Sequence, residues 1–576
     1  MPDAANSGDD AAEGAEGAPA PRPANGPLRT LIATLLVALA FVAVGTQLVR
    51  LALQGHGDIS VSLNETVAQS YARPDIVDRN GRLLATDVEA YSLFADPARV
   101  IDRDEAVEKL AVVFPDMDTN ALRNDLSDRN RRFVWIRRGL APRTAQAVHN
   151  LGLPGFDFRR ELRRAYPGGK LAGHVLGYVN IDNKGVAGIE RYVDEVVGVE
   201  SVQGATLADR PPVRLSLDIG AQHAVEAELA DAMGRYQAQG AAAVVMDVAT
   251  GEVLASASLP AVDPGKPNMD LSRLDKISGS TFELGSVFKT LTVAMVLDQA
   301  LVTPETVIDT RRELTSGRFT IKDLHPLRRP LSVAEIFLHS SNVGAAKLAL
   351  LAGSQRFQDF LRHMQVFDTM KTEAGMMAAP QVPPRWGEIE TITASYGHGI
   401  AMAPLQFAAA AGAIVNGGRK VLPTFVKKSA DAGVAEIPLI SAATSDKMRV
   451  LMRRNVAEQA GTGKRAEVRG YQVGGKTGTA EMPGVGGYRE KAVISSFLAA
   501  FPMDAPRYVV FVLIFEPKGT QETGGEVLAS RNAAPTAGRI ISRIGPLLGM
   551  LPTQAAAAGG TGMAFDAAAH AKYEAR

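Results

Sequence analysis

The sequence predicts an α+β fold for the C-terminal part of the chain, residues 214–550. Two short apolar runs, AAAVVMD and GEVLASAS, flank an A-T-G turn soon after this part begins, and they predict paired strands. Two more apolar runs, AVISSFLAAFP and RYVVFVLIFEP, precede a final helix near its end. Strands at both ends with helices between them predict an α+β fold whose central sheet is completed by both ends of this part.

The composition limits the classes of protein to which the chain can belong. Its 576 residues are enough for two or more domains, and 46% hydrophobic residues indicate that most of it is globular. Lys plus Arg equal Asp plus Glu at 62 each, which argues against a nucleic-acid-binding protein. The absence of cysteine excludes disulfides, cysteine nucleophiles and thiolate-bound zinc. We expect no metal and no cofactor.

The uncharged run TLIATLLVALAFVAVGTQLV, residues 30–49, predicts one transmembrane helix. A cleaved signal peptide is the alternative, but the run is long for the apolar region of such a peptide. Arg22 and Arg29 precede the run, which places the N-terminus in the cytoplasm and the rest of the chain in the periplasm. Residues 1–29 are rich in Ala, Pro, Gly and acids, so we expect a disordered cytoplasmic tail.

Residues 50–213 contain no obvious catalytic group, and we interpret them as a mixed α/β pedestal or interaction module. A DRNG turn between short apolar stretches predicts a hairpin near the start of this part. Residues 103–150 are charged and have apolar positions at helical spacing. At the other end of the chain, residues 551–576 are rich in Ala and Gly, so we expect a disordered tail.

The segment GYQVGGKT, residues 470–477, fits two different motifs. It matches G-x-x-x-x-G-K-[ST], the phosphate-binding P-loop, and it contains K-T-G, a motif of serine acyltransferases. A P-loop requires a buried strand before it and a helix that begins at its lysine. The preceding residues are polar, and glycines and a proline follow Thr477 closely, so we expect neither element. Only Glu516, at the end of a later apolar run, favours a nucleotide-binding protein.

A serine acyltransferase needs a nucleophile beside a base, and the segment ELGSVFKTLTVAMVLDQ contains both. Ser286 and Lys289 are three residues apart, so a helix places their side chains on one face. The helix is apolar nearly all round, which predicts burial, and burial lowers the pKa of a lysine towards that of a general base. Gly285 lets the backbone approach closely at the helix start. A lysine that extends from the helix end to solvent is the alternative.

The segment HSSNVG contains an S-x-N motif between two apolar helical stretches, so we expect it on a turn. Ser340 would relay a proton between the lysine amine and the leaving nitrogen, and Asn342 would hold Lys289 and the substrate amide. Taken alone, the same letters also fit an ordinary helix cap.

The segment GGKTGTAE is predicted to lie on an exposed edge strand, whose glycines let a peptide backbone approach closely. Lys476 supplies positive charge, and Thr477 and Thr479, on either side of Gly478, would bind a terminal carboxylate. The backbone N–H groups of Ser286 and Thr479 would form an oxyanion hole. A glycine-rich hairpin is the alternative for this segment alone. All three motifs, however, fall in this order inside the predicted catalytic domain.

With these motifs the chain resembles the class B penicillin-binding proteins, serine D,D-transpeptidases that cross-link peptidoglycan. The resemblance extends from the predicted anchor to about residue 550 through DIVDRNGRLLA, RRAYPGGKLAGHVLGYVN, GIERYVD, GTGKRAE and YGHGIAMAPLQ. The compact length and short connections are most similar to the division-specific FtsI type. An elongation-specific class B transpeptidase is the alternative within the family.

The resemblance implies a penicillin-binding/serine acyltransferase fold after the pedestal, with a central antiparallel sheet and helices on both sides. It also implies an acyl-enzyme on Ser286, formed from a D-Ala-D-Ala stem peptide with release of D-alanine. An amine of a neighbouring strand would then accept the acyl group, and β-lactams would inhibit the enzyme at Ser286. The resemblance also implies a single-pass inner-membrane protein at the division septum. Its partners would be a membrane-embedded glycan polymerase of the SEDS type and other division proteins.

Two other functions share features of this sequence. A class A β-lactamase needs an additional glutamate, and no E-x-x-x-N occurs between Asn342 and Lys476. A catalytically idle division scaffold is the alternative that is not an enzyme, and the three intact motifs argue against it. His339 and His398 lie near the motifs, but the mechanism needs no imidazole, so we expect both to be structural.

Overall fold

The computed structural model describes residues 26–54, 73–197, 211–267, 270–429, 437–484 and 487–553. The chain divides into two compact units, Met1–Gln69 and Ser70–Arg576. In the first unit, the predicted anchor is helical and belongs to α1 (Gly26–Gln54). Within the described ranges, no helix is both long and apolar enough to cross a membrane. Most of the two predicted tails, residues 1–25 and 554–576, lies outside the described residues.

The second unit begins with the pedestal. Its elements are β1 (Ile76–Val77), β2 (Leu83–Ala95), α2 (Arg103–Val113), α3 (Thr119–Asp125), β3 (Val134–Leu140), α4 (Pro142–His149), β4 (Phe156–Ala165), α5 (Gly173–Leu176), α6 (Gly188–Tyr192) and β5 (Val213–Arg214). The long strand β2 pairs antiparallel with β1, β3 and β4, and β1 pairs parallel with β5. The hairpin predicted around the DRNG turn is therefore present as β1 and β2. Strand β3 was not predicted, because its charged sequence lies among helix-prone residues.

A buried ion cluster joins distant segments of the pedestal. Arg164 Nε donates to Glu190 Oε1 at 2.7 Å, and its Nη1 donates to Asp87 Oδ1 at 3.2 Å. Arg73 Nη2 lies 2.8 Å from Glu190 Oε2. The four side chains have 0% exposure, so each charge depends on its partners rather than on water. The cluster therefore ties the start of the pedestal to β2, β4 and α6.

The catalytic part follows the pedestal. Its elements are α7 (Ile219–Arg235), β6 (Gly240–Asp247), β7 (Val253–Leu259), α8 (Lys289–Asp298), β8 (Val307–Ile308), β9 (Leu314–Ser316), β10 (Phe319–Ile321), β11 (Leu331–Ser332), α9 (Val333–Leu338), α10 (Asn342–Ala352), α11 (Ser354–His363), β12 (Lys371–Thr372), β13 (Gly375–Met376), α12 (Glu388–Ala394), α13 (Pro404–Val415), α14 (Ala442–Ala457), β14 (Gly474–Gly484), β15 (Gly487–Phe501), β16 (Tyr508–Phe515) and α15 (Ala533–Leu547). Five strands form one antiparallel sheet in the order β14-β15-β16-β6-β7. Both ends of this part thus complete the sheet, as the sequence predicted.

Both faces of the sheet are buried by helices. On β16, Val510 and Val512 face the layer that contains α7 and α15, whereas Phe511 and Leu513 face the layer that contains α8 and α13. All four side chains are fully buried. A strand that is covered on both faces carries a continuous apolar run, which explains the sequence YVVFVLIF. The predicted arrangement of helices on both sides is confirmed.

The DRNG turn of the pedestal holds the beginning of the catalytic part. Asp78 Oδ2 accepts a hydrogen bond from the backbone N–H of Ile219 at 3.2 Å. Asn80 Nδ2 donates to Asp218 Oδ2 at 2.8 Å. Asp218 also caps α7, because its Oδ1 accepts from the N–H of Ala221 at 3.0 Å. The cap of the first catalytic helix therefore depends on the pedestal.

Candidate active site

Ser286 lies in a single turn of 3-10 helix, Gly285–Phe288, that continues directly into α8. The first nine residues of α8 are buried, as its apolar sequence predicted. Gly285 has a φ of +61°, and a Cβ at this position would lie 2.7 Å from the carbonyl oxygen of Thr479. Only glycine fits this conformation and this distance without strain, so Gly285 brings the Ser286 turn against β14.

Lys289 joins the predicted catalytic groups. Its Nζ donates to Ser286 Oγ at 2.7 Å, to the carbonyl oxygen of Ser340 at 2.8 Å and to Asn342 Oδ1 at 2.6 Å. The side chain is fully buried. In the ammonium form these contacts use all three protons, and in the neutral form the lone pair can accept the Ser286 proton. Three residues that the sequence predicted to be catalytic therefore meet at one amine.

Ser340 lies on the turn between α9 and α10, where the sequence predicted it. Its φ is +59°, a conformation that is unusual for a residue with a side chain. Its Oγ accepts a hydrogen bond from Lys476 Nζ at 2.8 Å and lies 3.2 Å from Lys289 Nζ. One hydroxyl therefore connects the two lysines of the motifs.

Lys476 lies on β14, which is the edge strand of the catalytic sheet. The predicted position at the edge of the sheet is confirmed, and the side chain of Lys476 is fully buried. Its Nζ lies 5.7 Å from the ring centre of Phe337 on α9, so helices pack over the strand here. The strand continues through the K-T-G motif, and no helix begins at Lys476. This geometry rules out a P-loop in the segment.

Thr477 faces a supporting network that the sequence analysis did not identify. Its hydroxyl donates to Thr462 Oγ1 at 2.7 Å, and its side chain is buried. Asn455 Nδ2 donates to the carbonyl oxygen of Gly475 at 2.8 Å, and its Oδ1 accepts from the N–H of Thr462 at 3.1 Å. A carboxylate only accepts hydrogen bonds. To bind a substrate carboxylate, the Thr477 hydroxyl must therefore turn its proton away from Thr462 and towards the carboxylate. The G-T-G run that contains Thr462 was the available sequence signal.

Gly478 and Thr479 continue the strand beside Ser286. A Cβ on Gly478 would lie 2.5 Å from Ser496 Oγ and 2.6 Å from the carbonyl oxygen of Leu284, so no side chain fits there. Thr479 is partly exposed, and its Oγ1 accepts from the N–H of Ala529 at 3.3 Å. A hydroxyl that accepts still has its own proton to donate. Thr479 can therefore act as a donor without rearrangement.

The two active-site lysines have lowered pKa values. Burial holds the pKa of Lys289 well below its usual value, and the nearby charge of Lys476 lowers it further, whereas Asp323 opposes the shift. Burial lowers the pKa of Lys476 to about 7. A buried ammonium is costly without full compensation, so the neutral form of Lys289 is accessible near neutral pH. This is the form that a general base requires.

His398 belongs to a polar and aromatic cluster beside the Ser286 turn. Its Nδ1 lies 3.6 Å from Glu283 Oε2, and the rings of Tyr396 and Tyr488 are centred 5.4 Å and 5.7 Å from its own. The hydroxyl of Tyr488 donates to the same Glu283 oxygen at 3.0 Å. Burial lowers the pKa of His398. The structural role that the sequence analysis expected for this histidine stays a prediction.

The chain matches two protein families. Residues 241–541 match the penicillin binding protein transpeptidase domain, and residues 69–203 match the penicillin-binding protein dimerisation domain. The chain is 38% identical over 488 residues to the probable peptidoglycan D,D-transpeptidase FtsI of Caulobacter vibrioides, which covers 83% of this chain and 82% of that protein. It is 30% identical over 510 residues to the peptidoglycan D,D-transpeptidase FtsI of Escherichia coli, with 82% and 83% covered.

Solved structures show the same fold. Penicillin binding protein 3 from Mycobacterium tuberculosis, complexed with ampicillin, is 26% identical and has a TM-score of 0.63, covering 85% of this chain and 97% of that chain. The chain therefore belongs to the penicillin-binding proteins that carry a transpeptidase domain. Within that family it is a class B member of the FtsI type, a serine enzyme that acts as a D-Ala-D-Ala transpeptidase.

Proposed function

We propose that this D,D-transpeptidase cross-links peptidoglycan stem peptides during septal cell-wall synthesis through an acyl-enzyme on Ser286. The observation that carries the assignment of the nucleophile is the 2.7 Å hydrogen bond between Lys289 Nζ and Ser286 Oγ. A serine hydroxyl is a weak nucleophile at neutral pH and needs a base within hydrogen-bond reach. Lys289 is such a base, because its burial favours the neutral amine.

In the acylation step, neutral Lys289 takes the proton of Ser286 while Oγ attacks the carbonyl carbon of the penultimate D-alanine. The bond from that carbon to the nitrogen of the terminal D-alanine then breaks. The proton then passes from Lys289 through the hydroxyl of Ser340 to the leaving nitrogen. The distance of 3.2 Å between Lys289 Nζ and Ser340 Oγ supports this role for the serine. Free D-alanine leaves, and the stem peptide remains as an ester on Ser286.

In the second step, the amine of a neighbouring stem peptide attacks the ester carbonyl. A new carbon–nitrogen bond forms, the bond to Ser286 Oγ breaks, and the proton lost by the amine returns to that oxygen through Lys289. The atoms balance without water, metal or cofactor. A β-lactam presents a carbonyl to the same serine, and its ring stays attached after the carbon–nitrogen bond opens, which explains inhibition at Ser286.

The remaining site residues would bind the donor peptide. Lys476, Thr477 and Thr479 would bind its terminal carboxylate, and Gly478, which has no room for a side chain, would keep this strand close to the Ser286 turn where the peptide binds. Asn342 would hold the substrate amide in addition to Lys289. The N–H groups of Ser286 and Thr479 would form the oxyanion hole, a role supported by the close approach of the two backbones at Gly285.

The membrane anchor is part of the same proposal. We assign residues 1–29 to a cytoplasmic tail, 30–49 to the anchor, 50–213 to the pedestal, 214–550 to the catalytic domain and 551–576 to a C-terminal tail. Apolar side chains on α1 support this assignment, since Leu36 is 63% and Phe41 is 74% exposed. Cell fractionation tests it. The full chain should sediment with inner membranes, whereas deletion of the anchor should release a folded soluble protein.

We further propose a SEDS-type glycan polymerase and other division proteins as partners. Depletion of the protein from its host tests this role. Loss of a division enzyme gives filaments that lack septa, whereas loss of an elongation-specific enzyme gives rounded cells. Co-purification of the full chain with the polymerase from detergent-solubilised membranes tests the partnership directly.

The catalytic proposal is tested with isolated peptidoglycan strands that carry D-Ala-D-Ala stem peptides. The wild type should release D-alanine and produce cross-linked peptide dimers, both measured by mass spectrometry. Ser286→Ala should abolish both products, and Ser280→Ala, a neighbouring serine that donates to the carbonyl oxygen of Asp275, is the matched control. Cross-linking by a folded Ser286→Ala variant would contradict the mechanism. Shortened stem peptides without dimers would indicate a hydrolase instead.

A further inference from the structure

Asp323 lies in the segment after β10 and contacts the S-x-N turn from outside the catalytic cluster. Its Oδ2 accepts a hydrogen bond from the hydroxyl of Ser341 at 2.8 Å, and its Oδ1 accepts from the backbone N–H of Val343 at 3.0 Å. One carboxylate therefore holds the turn on both sides of Asn342. The mechanism described above gives Asp323 no task.

The residue before Asp323 fixes the orientation of the Asn342 amide. The carbonyl oxygen of Lys322 accepts a hydrogen bond from Asn342 Nδ2 at 3.2 Å. An amide that donates through its nitrogen on one side presents its oxygen on the other. Asn342 Oδ1 accordingly faces Lys289 Nζ at 2.6 Å. The Lys322–Asp323 segment thus selects the face of the amide that the catalytic lysine meets.

The turn needs such support for two reasons. Ser340 has a φ of +59°, a left-handed conformation that is strained for a residue with a side chain. Ser341 is 2% exposed, so its hydroxyl proton would be left without a partner in the interior if Asp323 were absent. The Ser341 oxygen is already occupied as an acceptor, because it caps α10 through the N–H of Gly344 at 2.9 Å.

We propose that Asp323 is a positioning residue of the transpeptidase: it holds the Ser340–Asn342 turn so that Ser340 O and Asn342 Oδ1 meet Lys289, and its charge stabilises the ammonium form of that lysine. This inference rests on the proposed roles of Ser286 and Lys289. Asp323 touches neither the substrate nor the reacting atoms, so it acts through the turn and through its electric field.

The charge of Asp323 has a consequence that a purely structural residue would not have. Among the described residues, the charged groups that act on Lys289 are Lys476 on β14 and Asp323. On the side of the Ser286 turn, the charge of Lys289 lowers the pKa of His398, which lies beside Glu283. Asp323 raises the pKa of Lys289 against the combined effects of burial and Lys476. Removal of the charge therefore lowers the pKa of Lys289 further. The pH at which acylation reaches half its maximal rate should move downwards.

The test measures the acylation rate constant of the full-length protein with a fluorescent penicillin, from about pH 5 to 9. Asp323→Asn keeps the shape of the side chain and the bond to Val343, so it should retain most of the maximal rate with a lower pH midpoint. Asp323→Ala loses both hydrogen bonds, and its maximal rate should fall by about tenfold or more. Asp118→Asn is the matched control, because Asp118 caps α3 through the N–H groups of Asn120 and Ala121 at 3.0 Å, far along the chain in the pedestal.

The control should change thermal stability at most, with neither the rate nor the midpoint altered. An Asp323→Asn variant with the wild-type midpoint would overturn the proposal, as would an Asp323→Ala variant that acylates at the wild-type rate. If Asp323→Ala does not fold, the pH midpoint of acylation by Asp323→Asn alone tests the proposal. Failure of the wild type to form an adduct would instead contradict the proposed function itself.

Discussion

Lys476 donates a hydrogen bond of 2.8 Å to the hydroxyl of Ser340, and the same hydroxyl lies 3.2 Å from Lys289. Lys289 on α8 and Lys476 on β14 are both buried and lie far apart in the chain, and one serine connects them. The charge of Lys476 lowers the pKa of Lys289, so the pair is suited to hold and pass on a proton rather than to carry two charges.

The first prediction concerns the base. Lys289→Arg keeps a cation at this position, but arginine does not lose its proton and cannot activate Ser286. The acylation rate constant should fall by at least about 100-fold. Lys276→Arg is the matched control, because burial also lowers the pKa of Lys276, which donates to the carbonyl oxygen of Ser272 outside the site. A Lys289→Arg enzyme that acylates as fast as this control would exclude lysine as the base.

The second prediction concerns stability and pH. Burial lowers the pKa of Lys476 from 10.5 to about 7. Between these values the unfolded chain binds more protons than the folded chain, so the free energy of unfolding rises with pH across this interval. Below about pH 7 both states are protonated, and the folded protein bears the full cost of the buried charge.

Lys476→Met removes this titration. The variant should therefore be more stable than the wild type at pH 7, and its stability should rise less steeply towards pH 10. Urea unfolding at several pH values measures both effects. Lys447→Met, at an exposed position on α14, is the matched control and should leave the slope unchanged. A steeper rise in the Lys476→Met variant than in the wild type would contradict the assignment.

The third prediction concerns the approach of the Ser286 turn to β14. Gly285→Ala introduces a Cβ 2.7 Å from the carbonyl oxygen of Thr479 at a φ of +61°, so the turn and the strand must separate. The acylation rate should fall by about 100-fold, with a loss of about 1–3 kcal/mol in the free energy of unfolding.

Gly317→Ala separates the two causes of this effect. Gly317 has a φ of +56°, but a Cβ there would meet no atom within 4 Å. The control therefore carries the same backbone strain without the clash, and its acylation rate should equal that of the wild type. Equal rates for both alanine variants would show that the close approach at Gly285 has no role in catalysis.

The fourth prediction concerns the pedestal. Glu190→Gln removes one carboxylate from a cluster in which two arginines have no exposure to solvent. The loss should lower the free energy of unfolding by about 3–5 kcal/mol. The exposed pair of Glu89 and Arg160, at 3.9 Å, provides the control, because Glu89→Gln should cost at most about 1 kcal/mol. Similar losses in both variants would show that the buried cluster is no more important than a surface pair.

Local patterns carried most of what the sequence could predict. Ser286 and Lys289 are three residues apart, so their meeting follows from helical geometry alone. The apolar runs at both ends of the catalytic part predicted strands of one central sheet, and the burial of both faces explains why those runs are continuous. The order of the three motifs along the chain indicated that they form one site. The number of residues between the motifs, however, could not show that Lys476 contacts Ser340 rather than solvent.

Local sequence patterns could not predict contacts between segments that are distant in the chain. Asp323 and Asn455 support the site from a loop and a helix whose own sequences carry no catalytic signal, and for Thr462 the G-T-G run gave a signal without showing its contact with Thr477. Arg164 and Glu190 are residue types that usually lie at the surface, and their burial depends on partners in other segments. The burial of Lys476 also depends on a distant segment, because Phe337, whose ring centre lies 5.7 Å from Lys476 Nζ, is remote in sequence.

Covalent labelling with a penicillin shows whether Ser286 is the nucleophile that Lys289 activates. The folded full-length protein is incubated with a fluorescent penicillin for hours and then digested, and the labelled peptide is identified by mass spectrometry. We expect one stable adduct on Ser286, absent in Ser286→Ala and retained in Ser280→Ala. An adduct on another residue, or no adduct on a well-folded wild type, would contradict this role of Ser286.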